Sequence, residues 1–446
     1  MSDERAGARL DPHAGSLPQS SDAALACVVR DESARIVVAL ARSFGSLDVA
    51  EEATASAIEE ALRQWRRDGV PPQPGAWLMT AARRNALDIV RRSRKYRDVL
   101  ARAAPTGPGG QPAPGEGLYG IEASPGSSED DEADYPAPSI GSGADDEVDE
   151  RVALLFGCCH PALSTAAQLS LTLRAVLGLT THQIARATVE PSATVGQRIA
   201  RAKRKIGSAG IPLRVPRGGA RAARLDTVLA VIAVTYDSAH LRPGDTAEAD
   251  RDLAGDALWL ASVVARSLPE EAEAHGLRAL LLFHGSREPA RSAAGELVRL
   301  PEQDRSLWDR TKITAGHVSL ERAAELRNPG RWQLHAAIGA CHSDAVSSDR
   351  TDWPQVLTLY DMLLRFDASP LVRLNRAVAL AEVRGPEAAL AEIARLGDRL
   401  DSYYLLHAVR AELLERAGYA GEAEAAAVRA AGLTDNLPER RLLLGA

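Results

Sequence analysis

Two short helical patterns that meet at a proline, within residues 179–206, limit most strongly what this chain can fold into. The first pattern is apolar on one face around Ile184 and stops before Pro191, because proline interrupts the hydrogen bonds of a helix. Ser192 is a favourable N-cap for a second helix, in which apolar residues recur at helical spacing as far as Ile206. The spacing predicts two helices joined by a tight turn, as in a helix-turn-helix that enters the major groove of DNA.

The exposed side of the second predicted helix is basic, with Arg198, Arg201, Lys203 and Arg204 among its residues. Basic residues on such a helix favour contact with nucleic acid. The alternative is an ordinary helical hairpin with a solvated basic face. The net charge of −7 does not decide between them, since a nucleic-acid partner must be argued from local patches.

Composition favours an all-α fold. Hydrophobic residues make up 45% of the chain but aromatic residues only 4%, which is typical of helical rather than sheet-rich proteins. The spacing of the four cysteines resembles neither a disulfide framework nor a zinc site. There is no signal-peptide pattern and no uncharged run long enough for a membrane span, so we expect a reduced, cytoplasmic protein without a membrane partner.

The segment 22–103 has a helical pattern with a contrast of charge along it. Asp48 can cap a helix that carries Glu51, Glu52 and Glu59. A loop rich in proline follows, and the next helix is strongly basic. Its arginines include Arg83, Arg84, Arg91 and Arg92. A basic run is usually a solvated surface, but the contrast with the acidic helix favours a surface that contacts phosphates.

Two segments have compositions that cannot bury a core. Residues 1–21 contain Gly, Pro, Ser and Asp without periodicity, and we expect a disordered tail. Residues 104–144, which include GPGGQPAPGEG and SSEDDEADYPAPS, predict a flexible linker that is acidic in its second half.

The segment 217–446 is predicted to be helical throughout. Near its end, a helix, a glycine turn and an alanine-rich helix occur twice, and Gly385 aligns with Gly418 at an offset of 33 residues. A repeat of this length with small residues is typical of tetratricopeptide-like helix pairs.

No set of catalytic residues emerges from the chain, and we expect a non-enzyme without a cofactor. Cys158, Cys159 and His160 are potential metal ligands in a row. Adjacent residues on a helix point in different directions and cannot close one tetrahedral site, so we expect structural cysteines and no metal.

Several motifs together carry a resemblance to the extracytoplasmic-function sigma factors of the sigma-70 family. Trp77 and Leu78, with the stretches 81–85 and 86–92, are similar to the family's WL…AR-N-ALD-RR stretch in region 2. Residues 179–206 are similar to region 4. Four further stretches resemble the subgroup that has a long helical C-terminal extension: CCHPAL, KRKIGSAGIPLRVP, EQDRSLWDR and LNRAVALAEVRGPEAAL.

The resemblance implies a division of the chain into five parts. They are the tail at 1–21, a helical region 2 bundle at 22–103, the acidic linker at 104–144, the region 4 helix-turn-helix at 145–212, and the tetratricopeptide-like extension at 217–446. It also implies a function: the chain would direct core RNA polymerase to specific promoters and support initiation.

Region 2 would bind the −10 element as a single strand, and region 4 would bind the −35 element in the major groove. The implied −10 residues are Trp77, Arg83, Arg84, Asn85, Arg91 and Arg92. The implied −35 residues are Ser192, Thr194, Gln197, Arg198, Arg201, Lys203 and Arg204. At the start of an apolar helical pattern, Trp77 is more often a core residue than a base-stacking one.

The implied partners are promoter DNA and core polymerase, through its β′ clamp helices and its β flap. The implied polymerase-binding residues are Asp48, Glu51, Glu52 and Glu59. The chain departs from the family in the middle of this helix, where Ala55 and Ser56 stand in place of a glutamine and an acid. A second departure is VTYDSAH at 234–240, where relatives have an aromatic and acidic stretch.

Two other classes of protein fit parts of the sequence. One is a conventional helix-turn-helix regulator whose helical domain senses a ligand or protein and which never binds core polymerase. The other is a helical scaffold whose basic stretches are solvated. For the segment 217–446 we expect regulation of the sigma module in cis, with a protein or small ligand as its partner, because helical repeats offer concave binding surfaces.

Overall fold

Helices form nearly all of the regular structure, and the predicted all-α class is confirmed. The computed structural model describes residues 21–103, 149–240, 252–293 and 296–445. The predicted linker and nearly all of the predicted tail lie outside these residues. Ser21, placed at the end of the tail, is instead the first residue of a helix. The described residues divide into two compact units, one that extends to Pro216 and one that begins at Arg217.

The first unit contains seven helices within its described residues. In chain order they are α1 (Ser21–Phe44), α2 (Leu47–Asp68), α3 (Pro74–Ala103), α4 (Glu150–Cys158), α5 (Thr165–Ala175), α6 (Thr181–Thr188) and α7 (Ser192–Ser208).

Helix α2 packs against both α1 and α3, and alanines make up half of its buried residues. Ala50, Ala53, Ala57 and Ala61 recur at helical spacing and are completely buried, so the neighbouring helices can approach closely. The helix is capped by Ser46, whose hydroxyl accepts a hydrogen bond from the backbone N–H of Val49. The sequence-based assignment of Asp48 as the cap is therefore wrong. Asp48 lies in the first turn, where its charge still favours the helix dipole.

Helices α6 and α7 form the two-helix unit that the sequence predicts. The side chain of Thr180 and that of Gln183 bond each other's backbone N–H groups in a capping box at the start of α6. Helix α6 ends at Val189 in the left-handed conformation, with φ 56°. Pro191 stands at the N-cap of α7 without a side-chain bond, and Ser192 is the first helical residue rather than the predicted cap.

Helices α4–α7 pack on the α1–α3 bundle within the first unit. Arg42 on α1 donates two hydrogen bonds to the backbone oxygen of Leu213, at 2.7 and 3.2 Å. Arg35 lies 3.5 Å from the carboxylate of Glu150 at the start of α4.

The second unit contains eleven helices within its described residues. They are α8 (Gly219–His240), α9 (Leu253–Ser267), α10 (Ala272–Ser286), α11 (Arg310–Glu325), α12 (Arg331–Asp344), α13 (Trp353–Leu363), α14 (Pro370–Arg384), α15 (Pro386–Ala394), α16 (Tyr404–Arg416), α17 (Ala420–Ala431) and α18 (Leu437–Leu444).

Short elements other than α-helices interrupt this order, most of them between α10 and α11. Two strands, β1 (Ser292–Ala293) and β2 (Glu296–Leu297), pair antiparallel with Ser292 opposite Leu297. Short 3-10 turns lie at Glu288–Ala290, Leu300–Glu302, Arg305–Leu307, Ser348–Arg350 and Gly397–Leu400.

The two glycines that align in the sequence occupy equivalent turns. Gly385 joins α14 to α15 with φ 89°, and Gly418 lies between α16 and α17 with φ 86°. Both angles are in the region that side chains with a Cβ rarely adopt, so a glycine is needed at each turn.

Candidate nucleic-acid interface

The exposed strip of α7 consists of Thr194, Gln197, Arg201 and Arg204, spaced by three or four residues along one face. All four side chains are exposed, as is Ser192 at the start of the helix. The opposite face is buried and holds the apolar residues that the sequence predicts: Val195, Ile199, Ala202 and Ile206. The strip offers hydroxyl, amide and guanidinium groups, the donors that bind phosphates and base edges.

Arg198 lies beside this strip but is engaged within the protein. Its guanidinium forms a forked ion pair with Glu190, with one bond at 3.1 Å. A further bond of 3.3 Å reaches the hydroxyl of Ser170 on α5. Arg198 therefore holds the α6–α7 turn and α5 together, and three of its N–H groups are engaged within the protein.

Lys203 also points away from the strip, toward α2. Its ammonium donates to Glu51 at 2.8 Å and to Asp48 at 2.9 Å. Arg174 on α5 adds a longer ion pair to Glu51, at 3.5 Å. We call this cluster of Lys203, Asp48, Glu51 and Arg174 the α2–α7 clasp.

The Lys203–Glu51 pair at the centre of the clasp is largely removed from water. The side chains of Lys203 and Glu51 are only 10% and 12% exposed, whereas that of Asp48 is 40% exposed. Burial alone lowers the pKa of Lys203, but the charges and hydrogen bonds of Glu51 and Asp48 outweigh it and raise that pKa above its ordinary value. The clasp thus holds a charged lysine, and it joins two residues predicted to bind polymerase to one predicted to bind DNA.

The other residues predicted for polymerase binding lie on α2 outside the clasp. Glu52 and Glu59 are both exposed. Ala55, one of the two residues that depart from the sigma-family pattern, is exposed between them, and Ser56 is half-buried. This part of α2 is accessible, with carboxylates at both ends and no acid in its middle.

On α3, the predicted single-strand residues differ in exposure. Trp77 is half-buried and packs edge-on against the buried ring of Trp65, with ring centroids 5.7 Å apart. Arg83 and Asn85 are half-buried. Arg84 is exposed and pairs with Glu60 on α2 at 2.6 Å.

The arginines further along α3, Arg91 and Arg92, are exposed and form no ion pair among the described residues. They are therefore available to a phosphate, whereas Trp77 contributes packing.

The motif Cys158-Cys159-His160 at the end of α4 has partners within the fold. Both cysteines are completely buried, and the Cys159 sulfur lies 3.8 Å from the Thr172 hydroxyl. His160 Nδ1 accepts a hydrogen bond from the backbone N–H of Ala162. Burial, with smaller contributions from Cys159 and Glu51, raises the pKa of the Cys158 thiol well above its ordinary value. Across the described ranges, no group of three His, Cys, Asp or Glu side chains could hold a metal ion.

The sequence did not reveal the internal partners Glu190, Arg174 and Ser170. Glu190 precedes Arg198 by eight residues with a turn between them, a separation for which no helical or strand period predicts contact. Lys203 and Glu51 are 152 residues apart in the chain. Such pairs form through three-dimensional packing, so local spacing in the sequence does not predict them.

The chain is similar to a protein of Rhizobium meliloti (strain 1021) that is named only as an uncharacterized protein. The two are 39% identical over 402 residues, which cover 90% of each chain. This chain belongs to the family of that rhizobial protein. A family of unknown function, DUF6596, matches residues 224–324, from within α8 to the end of α11. No solved structure matches. Within the described residues, no helix combines the length and apolar character needed to cross a membrane.

Proposed function

We propose that this family member is a promoter-specificity factor for RNA polymerase, in the manner of the extracytoplasmic-function sigma factors that its sequence resembles. In this proposal α7 binds duplex DNA at the −35 element, and α3 follows the phosphates of the opened −10 strand. The observation that carries the proposal is the exposed strip of α7, which presents Thr194, Gln197, Arg201 and Arg204 from the second helix of a two-helix unit.

The distribution of paired and unpaired cations supports this role for α7. Arg198 and Lys203 are held by internal acids, whereas Arg201 and Arg204 are exposed and form no ion pair among the residues that the structure describes. Exposed arginines gain most from phosphate or guanine contact, because they give up no protein partner on binding. The same argument applies to Arg91 and Arg92 on α3.

Under this proposal, the α2–α7 clasp controls how polymerase gains access to α2. Lys203 bonds one oxygen of each carboxylate and so competes with polymerase for Asp48 and Glu51. The described arrangement is therefore a resting one, and core polymerase must compete with Lys203 for α2. Opening separates a largely buried ion pair and requires that polymerase replace both sets of hydrogen bonds.

The test is run-off transcription with purified core RNA polymerase, the full-length chain and a set of promoter templates from the genome that encodes it. We expect initiation with the wild-type chain and none with core polymerase alone. Arg201→Ala combined with Arg204→Ala should abolish promoter-specific transcripts. Arg67→Ala is the matched control, since Arg67 is an exposed arginine paired with its neighbour Asp68 in the last turn of α2, whereas α7 contacts the start of that helix.

A second candidate is a conventional regulator that binds duplex DNA but not polymerase. The pairing of Asp48 and Glu51 with Lys203, together with Ala55 in the middle of α2, favours it. Specific duplex binding without initiation, in the same preparation, would establish this second function and reject the first.

A further inference from the structure

A groove lined by arginines runs along α14 in the second unit. It contains an open cavity of about 720 Å³ that is lined by residues of α13, α14 and α15 and of the segment that follows α15. A neighbouring cavity of about 330 Å³ shares Arg376, Glu392 and Arg395 with it. Volumes in this range are typical of ligand-binding clefts.

The spacing of residues along α14 explains why the groove is basic. Arg373, Arg376, Leu380 and Arg384 follow one another at intervals of three or four residues, which places them on one face of the helix. At 1.5 Å per residue, the face from Arg373 to Arg384 is about 16 Å long. This length accommodates about five residues of an extended peptide.

The acids on the groove wall neutralise only one of the arginines. Arg376 bonds Asp361 at 2.6 Å and also pairs with Glu392. Four other arginines of the two cavities form no ion pair within the part of the chain that the structure describes, and all four are exposed. They are Arg373, Arg384, Arg395 and Arg399.

We propose that this arginine groove is a binding site for an extended acidic segment of a partner protein. The Asp and Glu side chains of that segment would pair with Arg373, Arg384, Arg395 and Arg399, as forked guanidinium groups suit carboxylates. Leu364, Leu380 and Leu396 line the same cavities and supply apolar contacts between the charges.

The lining favours a peptide over a nucleic acid. The carboxylates of Asp361 and Glu392 lie on the wall, and a phosphate backbone cannot avoid them because it carries a negative charge on every nucleotide. Among the described residues, no aromatic side chain lines either cavity, so bases would find no ring there on which to stack. A peptide can place its own cations or small residues opposite the two acids. The proposal is independent of the transcription role given to the first unit.

The test is fluorescence anisotropy with the full-length protein and a fluorescein-labelled ten-residue peptide in which Glu alternates with Ser. We expect saturable binding that weakens as salt is raised from about 0.05 to 0.5 M, because exposed charge pairs are screened. Arg373→Ala combined with Arg395→Ala should weaken binding at least about fivefold, because two guanidinium–carboxylate pairs are removed.

The matched control is Arg410→Ala combined with Arg440→Ala, two exposed arginines outside both cavities. The control variant should bind the peptide like the wild type. The proposal is overturned if the peptide does not bind, or if the two double variants weaken binding equally. It is also overturned if a ten-nucleotide single strand binds more tightly than the peptide and loses affinity in the groove variant.

Discussion

The ammonium of Lys203 lies 2.8 Å from the Glu51 carboxylate, and the two side chains are only 10% and 12% exposed. This pair joins α7 to α2 across 152 residues of sequence. A buried lysine without its acids would face a desolvation cost of several kcal/mol, and so would the acids without the lysine. The pair therefore specifies how the two helices sit together within the first unit.

Lys203→Met should destabilise the first unit, because it keeps the aliphatic stem and leaves Glu51 buried without its cation. We expect a loss of about 1–3 kcal/mol of unfolding free energy, since Asp48 is 40% exposed and can be rehydrated. Urea unfolding followed by circular dichroism measures it. Arg204→Met on the same helix should change stability by less than about 0.5 kcal/mol. Equal midpoints for the two variants would show that the clasp contributes nothing.

Binding of duplex DNA by α7 should depend on salt through Arg201 and Arg204. Removing one arginine–phosphate pair reduces the slope of log affinity against log salt concentration by about 0.9. Arg201→Ala alone should therefore reduce the slope by about one, and the double variant by about two. Anisotropy with a labelled promoter duplex at several salt concentrations gives the slopes, and Arg67→Ala should leave the slope unchanged. If the double variant keeps the wild-type slope, α7 is not part of the DNA interface.

His342 should contribute a loss of stability in the second unit as pH falls from 6.5 toward 4. Burial, with the nearby charges of Arg287 and Arg305, lowers the pKa of His342 to about 4. Between pH 6.5 and 4 the His342 ring is protonated in the unfolded chain but neutral in the folded protein. The stabilisation present above pH 6.5 is therefore lost progressively as the pH falls. The loss is at most about 3 kcal/mol, and partial exposure of the ring reduces it. Thermal unfolding between pH 7 and 5 should show a weaker pH dependence in His342→Gln than in wild type. His182→Gln, at an exposed position of the first unit, should retain the wild-type dependence.

Gly276→Ala and Gly207→Ala should change stability in opposite directions. A Cβ at Gly276 on α10 would stand 2.7 Å from the backbone nitrogen of Gln333, so the two helices must move apart. We expect a loss of about 1–3 kcal/mol. At Gly207, near the end of α7, a Cβ meets nothing within 4 Å, and the lower backbone entropy of alanine should add up to about 1 kcal/mol. Thermal midpoints of the two variants test both values, and two shifts of the same sign would contradict the packing argument.

The periodicity of apolar residues predicted the helical class correctly, because burial of one helix face needs only local spacing. The cap residues were harder to predict. Ser46 and Asp48 are both good N-cap residues two positions apart, and the start of α2 is set by the burial of Leu47 and Val49 in the core. At α7, the fixed φ of Pro191 suits the N-cap position, so Ser192 enters the first turn.

Exposure could be predicted from sequence for most of the candidate site, but internal pairing could not. Once Val195 is assigned to the buried face of α7, helical spacing predicts which positions are exposed. These positions are Thr194, Gln197, Arg201 and Arg204. Arg198 and Lys203 pair with acids that only tertiary contacts bring close. Because such contacts produce no regular spacing in the sequence, these ion pairs could not be predicted from it.

The equivalent glycine turns at Gly385 and Gly418 have a consequence for how such a chain can evolve. Each turn is set by one residue with a positive φ, and each joins a helix to a short partner that packs on it. A duplication or deletion of 33 residues at this point would add or remove a complete helix pair and preserve the register of the remaining buried faces. The C-terminal end of the protein can therefore gain or lose a complete helix pair in one genetic event, and the remaining helices need no change in sequence.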